Sequence, residues 1–532
     1  MTETVVVAPL LVAFGSAVAT LAVGSRPALQ RATSVAGVAA YAAAVAALAW
    51  TVVLGPDAPG AAAYQVGDIR APFGITLVAD ALSAFMLVLA AVVALYAVAV
   101  SVRFVDRRNQ QTYYHPTFQL LLVGVTGAFL TGDLFNLFVW FEVMLMASYV
   151  FVAFYGGAEH TAAAMRYVVL NVLGGVCMLL AIGGLYATVG TLNMADMARL
   201  LAESPAGVRT PPLVGFSALL FVTFALKAGL VPFQFWVPGA YRAAPMPVAA
   251  MLAGVTKKVG VYAIVRLYFT VFAGASVSVA VPGLAGESPL TVLAPVLGVM
   301  GAASVVLGGL GAIDRDSVDG LLAYSSISQI GFIAIPVAVA AAAGNPALRR
   351  LGLLAALIYA LHHALTKGLL FLSAVVIRDV AGTTRLAAVS GLGQRSPLFA
   401  TVFFVAGLSL VGVPPLAGFF GKLLVFEAAA ARLAAVPTTV AALTVLVLLL
   451  GGLLTIVYTT RAWVGSVWGA QTERVERGTV DRPLVALIAT LAVVVVLVGV
   501  GFEPVYRFAD AAAAAALDTD GYVEVVLGGD AE

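Results

Sequence analysis

Residues 221–267 read FVTFALKAGLVPFQFWVPGAYRAAPMPVAAMLAGVTKKVGVYAIVRL, an apolar run that is interrupted at Pro232 and Pro238. Lys227 precedes these prolines, and Lys257 and Lys258 follow them. A charged side chain at the centre of a bilayer costs roughly 3 to more than 10 kcal/mol, so such lysines usually face a protein interior or a water-filled path. Proline inside a membrane span also frees backbone carbonyls that need another partner. The stretch therefore predicts a broken helix lined with titratable groups, which is typical of an ion pathway.

The composition of the whole chain predicts a polytopic membrane protein. Its 532 residues are 62% apolar and only 10% charged, with a mean hydropathy of +1.05, whereas a soluble domain carries about 25% charged residues. The net charge of +2 gives no argument for a nucleic-acid partner. Cys177 is the only cysteine, which excludes an internal disulfide, an iron–sulfur cluster ligated by this chain and a CxxC zinc site.

Apolar runs of about 20 residues predict an all-α fold with about fourteen transmembrane helices. The expected spans are 5–24, 35–54, 79–100, 118–132, 134–155, 163–190, 213–241, 248–268, 290–313, 321–343, 351–377, 398–431, 440–458 and 484–500. The N-terminus lacks the basic region of a signal peptide, so the first span is expected to be retained. The seventh and twelfth spans are predicted to be broken, at Pro232 and at Pro414 and Pro415. The segment after Glu503 is expected to be too short and too acidic for another long helix.

The two broken spans suggest an internal repeat. Each contains a lysine near its proline break, Lys227 in one case and Lys422 in the other. Inverted repeats with broken helices recur in transporters, and we therefore expect two related five-helix units. The predicted division is an N-terminal group of three helices (1–110), a first repeat of helices four to eight (117–269), a second repeat of helices nine to thirteen (290–462), and helix fourteen with a short tail (463–532).

Arginine and lysine are distributed very differently. Loops after odd-numbered spans hold 15 arginines, against eight elsewhere, so the positive-inside rule predicts that both termini lie outside the cytoplasm. All five lysines fall inside predicted spans, namely Lys227, Lys257, Lys258, Lys367 and Lys422. A desolvated lysine can release its proton, whereas arginine stays protonated at accessible pH. The segregation of lysine therefore indicates a proton relay. Of the adjacent pair Lys257 and Lys258, which differ by about 100° on a helix, only one is expected to face the interior.

Glu142 is the acidic counterpart of these lysines. It lies in the middle of the fifth predicted span, in DLFNLFVWFEVMLMASYV. A pair with Lys227 would stabilise both charges, and breaking the pair would move a proton. The alternative is a buried ion pair with a purely structural role.

The eleventh span contains LIYALHHALTKGLLFL, which places His363 and Lys367 four residues apart on one helix face. His362 points about 100° away, so the two histidines cannot both face one ion. No third ligand is apparent, and we expect no metal site. Asp133 is expected to cap the fifth span, and Asp80 is open to either a capping or a functional role.

Several of these motifs occur in the order found in one family. DLFNLFVWFEVMLMASYV, LLAYSSISQIGF, HHALTKGLLFL and GVPPLAGFFGK, together with the broken stretch, resemble the antiporter-like subunits shared by Mrp-type sodium/proton antiporters and the membrane arm of NADH:quinone oxidoreductase. GTLNMADMA and YRAAPMPVAAMLAGVTKKVGVYAIVRL are most similar to the D-type component of the Mrp complex. The resemblance covers residues 80–460. One departure is visible before LLAYSSIS, where Asp319 and Gly320 replace a Lys-Arg pair of the family.

The resemblance implies roles for individual residues. Glu142 matches the fifth-helix glutamate and Lys227 the seventh-helix lysine, which are paired in the family. Lys258 matches the eighth-helix lysine, which leaves Lys257 as an extra residue. His363 matches the eleventh-helix histidine, with Lys367 following it, and Lys422 matches the twelfth-helix lysine.

We therefore expect a proton-translocating subunit of a multisubunit Na⁺/H⁺ antiporter in the plasma membrane, with protons, Na⁺ (or K⁺ or Li⁺), lipid and other membrane subunits as partners. The expected relay consists of Glu142, Lys227, Lys258, His363, Lys367 and Lys422. No cofactor and no covalent catalysis are expected, so the chain is a transporter subunit and not an enzyme. Two alternatives remain open, namely a pump subunit of a quinone oxidoreductase or membrane hydrogenase, and a scaffold that transports nothing.

Overall fold

The computed structural model describes residues 2–106, 109–203, 210–279 and 284–528. It is almost entirely helical, and twelve of the described helices are long and apolar enough to cross a membrane. The predicted fourth span is a shorter apolar helix, and the twelfth is divided into a helix of 15 residues and one of 19 residues. The all-α polytopic prediction is confirmed, while the count of fourteen spans, the repeats and the domain boundaries stay predictions.

The elements of the first half are α1 (Thr2–Ala22), α2 (Pro27–Ala49, extended by a π-helical turn Trp50–Leu54), β1 (Ala61–Gln65), β2 (Thr76–Asp80), α3 (Ala81–Phe104), α4 (His115–Leu130, preceded by a π-helical turn Gln110–Tyr114), α5 (Leu134–Val152), α6 (Gly157–Val189), α7 (Met194–Glu203), α8 (Thr210–Ala228), α9 (Trp236–Ala243) and α10 (Met246–Val271). Strands β1 and β2 form an antiparallel hairpin that was not predicted from the sequence. Asp133 accepts a hydrogen bond from the Asn136 backbone N–H at 2.8 Å and so caps α5, as predicted.

The elements of the second half are α11 (Pro289–Ile313), α12 (Val318–Ala341), α13 (Pro346–Ala381), α14 (Pro397–Val411), α15 (Ala417–Ala435), α16 (Thr439–Ser466), α17 (Arg482–Val500), α18 (Phe502–Leu517) and α19 (Thr519–Leu527). Short helical turns at Leu386–Ala388, Leu392–Arg395 and Glu473–Arg477 lie in the connections. In an apolar stretch of 18 residues within each of α10, α12 and α13, 94% of the residues are buried, against 28% in α16. These three helices form the centre of the bundle.

The expectation that no long helix follows Glu503 is wrong. The segment AAAAAA at 511–516 consists of the residue with the highest helix propensity, and it forms most of the second half of the 16-residue α18. One side of α18 is buried through Phe508, Ala512 and Ala516 and packs on α3 and α13. Helix α19 packs on α7 and β1. Both C-terminal helices therefore belong to the folded core.

A buried ion pair joins the end of α10 to the start of α3. Arg266, which falls inside the predicted span 248–268, is only 2% exposed and donates to Asp80 at 2.5 Å. Asp80 also caps α3 by accepting from the Ser83 backbone N–H at 2.9 Å. The Arg266 guanidinium lies 4.8 Å from the ring centre of Tyr522 in α19. Asp80 therefore combines the two roles that the sequence left open, and it ties α3, α10 and the C-terminal helices together.

We expect Arg266→Met to destabilise the protein by about 3 kcal/mol or more, because it leaves the buried Asp80 carboxylate without its partner. The double variant Asp80→Asn/Arg266→Met should be more stable than Arg266→Met, since it removes both charges and keeps the helix cap. Thermal aggregation of the detergent-extracted protein, followed by size-exclusion chromatography, measures the difference. A double variant as unstable as the single one would contradict this account.

Candidate functional site

All five lysines lie inside helices and are buried. Lys227, Lys257, Lys258 and Lys367 have 0% exposure, and Lys422 has 7%. Lys227 is in the last turn of α8, the adjacent pair is in α10, Lys367 is in α13 and Lys422 is in α15. The structure therefore places these ammonium groups within the protein bundle and not on its lipid-facing surface.

The predicted break in the seventh span separates α8 from α9. Helix α8 ends at Ala228, and Gly229 has a φ of +69°, which glycine adopts readily. The indole N–H of Trp236 donates to the Leu226 carbonyl at 2.9 Å. The Val231 backbone N–H donates to the Ser304 hydroxyl at 2.9 Å. Side chains therefore satisfy backbone groups that the break around Pro232 leaves without helical partners.

Lys227 is held by a hydroxyl group and three aromatic rings. Its Nζ donates to the Tyr167 hydroxyl at 3.2 Å, and the Tyr167 and Ser148 hydroxyl oxygens are 2.9 Å apart. The ring centres of Phe141, Tyr167 and Trp236 lie 5.7–5.9 Å from Nζ. Aromatic faces stabilise a nearby cation, so this pocket suits a charged lysine.

Glu142 and Lys227 do not form the direct pair that we expected. No salt bridge joins them within 4.0 Å, although both residues are described and interact electrostatically. The Glu142 side chain is half-buried, its Oε1 is buried without a hydrogen-bond partner, and it lies against Gly175 of α6. Lys227 binds Tyr167 instead. The carboxylate is therefore close to the lysine but free to accept a new hydrogen bond.

Both lysines of the adjacent pair face the interior, so the expectation that only one does is wrong. Lys257 Nζ donates to the Ser326 carbonyl of α12 at 3.1 Å. Lys258 Nζ donates to the Ala253 carbonyl at 2.7 Å and lies 2.6 Å from His363 Nδ1. Protein surrounds α10 on nearly every side, so positions 100° apart on it are both enclosed.

A π-helical turn precedes these lysines in α10. It covers Leu252–Thr256, and such turns often occur at functional sites. The Leu252 carbonyl accepts from the Tyr241 hydroxyl at 3.0 Å and from the Thr256 hydroxyl at 3.2 Å. The ammonium of Lys258 reaches the next carbonyl, that of Ala253. Side-chain donors thus occupy carbonyls at the irregular part of the helix.

The groups on α13 extend the cluster. Lys367 Nζ donates to the Leu322 carbonyl at 3.2 Å and to the Ser325 hydroxyl. His363 Nε2 is buried and has no hydrogen-bond partner. His362 points elsewhere, with its Nδ1 3.2 Å from the Thr366 hydroxyl. Among the described residues, no group of three or more His, Cys, Asp or Glu side chains could hold a metal ion.

The second break separates α14 from α15 around Pro414 and Pro415. Lys422 Nζ donates at 2.7 Å to the carbonyl of Val411, the residue that ends α14. It also lies 5.6 Å from the ring centre of Phe332. Here the titratable side chain itself satisfies the carbonyl that the break exposes. Lys422 therefore has both a structural contact and a position on the expected pathway.

A cavity of about 870 Å³ leads towards the first break. Its lining includes Gln234 and Trp236 of the broken segment, and Trp236 also contacts Lys227. In the lining of the cavity, the Arg242 guanidinium lies 4.0 Å from Glu159 and 3.8 Å from Asp319. Asp319, the residue that departs from the family motif, also accepts from the Thr384 hydroxyl at 2.7 Å. The cavity thus lies between Trp236, which contacts Lys227, and the loops after predicted odd-numbered spans.

Tyr167 was not predicted as the partner of Lys227, and Lys257 was not predicted to face the interior together with Lys258. No local pattern marks a tyrosine as the partner of a lysine on another helix. For Lys257 a signal was present, because every lysine in the chain falls inside a span. That segregation is a better guide here than the 100° separation on the helix.

Comparisons with known proteins agree with this architecture. Residues 131–449 match the family model for NADH:quinone oxidoreductase/Mrp antiporter transmembrane proteins. The chain is 33% identical to the D-type Na⁺/H⁺ antiporter protein of Alkalihalophilus pseudofirmus, over 88% of this chain and 89% of that protein. A chain of the Mrp complex from Dietzia sp. DQ12-45-1b has a TM-score of 0.84 at 28% identity, with 99% of both chains covered. A chain of the archaeal membrane-bound sulfane sulfur reductase has the same TM-score at 27% identity, also over 99% of both chains. The chain therefore belongs to the antiporter-like family of NADH:quinone oxidoreductase and Mrp transmembrane subunits, and within it to the D-type members of Mrp Na⁺/H⁺ antiporters.

Proposed function

We propose that this chain is the proton-translocating subunit of a multisubunit Na⁺/H⁺ antiporter. The observation that carries the proposal is the contact between Lys258 and His363, 2.6 Å apart and both fully buried. Two basic groups this close cannot both be charged without strong repulsion in a low-dielectric interior. The pair therefore favours states in which one of its members has given up a proton. A proton held by such a pair can move between α10 and α13.

The proposed relay consists of Glu142, Lys227, Lys258, His363, Lys367 and Lys422. At its first end, Lys227 exchanges the Tyr167 hydroxyl for the unsatisfied Glu142 carboxylate. Forming and breaking this pair changes how strongly Lys227 holds its proton. At the far end, Lys422 lies at the second break, where movement of α14 against α15 would change its contact with Val411. Water completes the path between groups that do not touch.

The mixed-charge cavity supports an entrance to this relay. It is lined by residues from the loops that the positive-inside rule assigns to the cytoplasm. In this proposal both termini lie outside the cytoplasm and the complex resides in the plasma membrane. Protons exchange with the cytoplasm through the cavity, and their flow expels Na⁺ through the assembled complex. The sodium specificity rests on the similarity to Na⁺/H⁺ antiporter subunits.

One alternative has an observation in its favour. The structural similarity to the sulfane sulfur reductase chain equals that to the Mrp complex chain in TM-score. The same relay would then serve a redox-driven pump. Mass spectrometry of the gently extracted native complex separates the two: small and antiporter-like membrane subunits alone support the antiporter, and stoichiometric flavin, iron–sulfur or nickel subunits support the pump.

We expect Glu142→Gln and Lys227→Met to lower exchange on the order of a hundredfold, because each removes a proton carrier. Exchange is measured as Na⁺-driven proton movement in everted membrane vesicles that contain the complete complex. Glu427→Gln is the matched control, because Glu427 is an exposed carboxylate on α15, and it should leave exchange unchanged. Full exchange by either relay variant, with normal insertion and assembly, would refute the mechanism.

Gly175→Ala should slow exchange several-fold with little loss of stability. A Cβ at this position would lie 2.5 Å from Glu142 Oε1, the mobile end of a side chain, so the carboxylate must move. The neighbouring Gly174→Ala is the control, since its Cβ would make ordinary contacts of 3.7 Å or more. Vesicle exchange and the temperature of aggregation are measured for both variants. Equal exchange in Gly175→Ala and Gly174→Ala would show that exchange does not depend on the position of the Glu142 carboxylate.

A further inference from the structure

Lys257 lies where α10 meets the broken segment of the seventh span. An added Cβ on Gly229 would lie 3.1 Å from Lys257 Cε and 3.2 Å from its Nζ. Gly229 follows Lys227 by two residues and carries the positive φ at which α8 ends. The lysine side chain thus rests directly on the backbone of the break. A change of the backbone at Gly229 therefore alters the space that is open to the Lys257 ammonium.

The packing of α10 on α8 explains this position. Gly260 faces α8 so closely that a Cβ would lie 2.5 Å from the Phe224 carbonyl and 3.4 Å from Lys227 Cβ. Lys257 precedes Gly260 by three residues and therefore shares its helix face. Lys258, about 100° away, points instead to His363 of α13. The two neighbouring lysines thus face two different elements, the break on one side and α13 on the other.

Lys257 also acts on the charges of the central cluster. It is close enough to Lys258, Lys367 and His363 to interact electrostatically with each of them. No carboxylate forms a salt bridge with any of these four groups in the described part of the chain. In a buried cluster of bases, a positive charge on one member makes protonation of the others harder. The protonation state of Lys257 therefore changes the energy of a proton on the Lys258–His363 pair.

From these contacts we propose that Lys257 is a further protonatable residue of the relay, which couples the conformation of the seventh-span break to the Lys258–His363 pair. This inference rests on the proposed proton-translocating function. When Lys257 is protonated and the break moves it towards the Lys258–His363 pair, a proton leaves that pair. When Lys257 releases its own proton, the pair can accept one again. Each step moves one proton from an ammonium or imidazolium group to a neutral base.

The test compares three variants of Lys257 in the complete complex. Lys257→Met removes the charge at similar length, Lys257→Arg fixes the charge, and Lys257→His restores a group that can gain and lose a proton. We expect exchange in everted vesicles to fall at least about tenfold in the Met and Arg variants, a part of the effect expected for a general acid or base. The His variant should recover part of the loss. Ser466→Ala, which removes a buried hydroxyl that donates to the Ala462 carbonyl within α16 and lies outside the relay, should behave like the unaltered protein.

Any other pattern of exchange activity among these variants overturns the inference. Normal exchange in Lys257→Met would show that the residue only fills space. Loss of exchange in Lys257→Met with normal exchange in Lys257→Arg would show that a fixed positive charge at this position is sufficient for exchange. Equal loss in all three variants, with the His variant no better than Met, would show that packing and not protonation matters. Lys227→Met is measured alongside. Normal exchange in Lys227→Met would refute the proposed function itself. Loss of exchange in Lys227→Met, together with normal exchange in Lys257→Met, would refute this inference alone.

Discussion

The structure depends on one constraint, the need to satisfy polar groups inside an apolar bundle. A break in a membrane helix frees backbone carbonyls and amides that lipid cannot satisfy. This protein meets that need with side chains: Trp236 donates to Leu226 at the first break, and Lys422 donates to Val411 at the second. The π-helical turn in α10 follows the same rule, since Tyr241 donates to the Leu252 carbonyl. Polar side chains, some of them titratable, therefore find hydrogen-bond partners on the backbone where the helices are irregular.

The same constraint explains how buried lysines are tolerated. Each of the five donates to an oxygen on the protein, and for four of them, Lys257, Lys258, Lys367 and Lys422, an acceptor is a backbone carbonyl. A carbonyl is a weaker partner for an ammonium group than a carboxylate, because it carries only a partial charge. It holds a charged lysine without fixing its proton permanently. Lys227 differs, since its partners are the Tyr167 hydroxyl and aromatic rings, with the Glu142 carboxylate nearby.

Much of the fold follows from the sequence because it depends on local patterns. Apolar runs predicted the spans, and helices end at Ala228 and Val411, shortly before the prolines at which breaks were expected. The β-hairpin was missed because its strands, Ala61–Gln65 and Thr76–Asp80, lie among residues that give little strand signal. Helix α18 was missed because acidic residues further along were given more weight than its alanine run. In the site, the enclosure of both Lys257 and Lys258 depends on how many helices surround α10. The choice of Tyr167 over Glu142 as the partner of Lys227 depends on side-chain conformation. Neither can be read from spacing along the chain.

The packing of the C-terminal helices affects the order in which the protein can mature. During synthesis Asp80 emerges well before Arg266, so their ion pair can form as soon as α10 enters the membrane. Tyr522, which covers the Arg266 guanidinium, emerges more than 250 residues later. Thr519 and Thr270 also join α19 to the end of α10 by a hydrogen bond of 3.0 Å. An inserted chain therefore keeps the Arg266 guanidinium uncovered at this end of α10 until the ribosome has delivered α19.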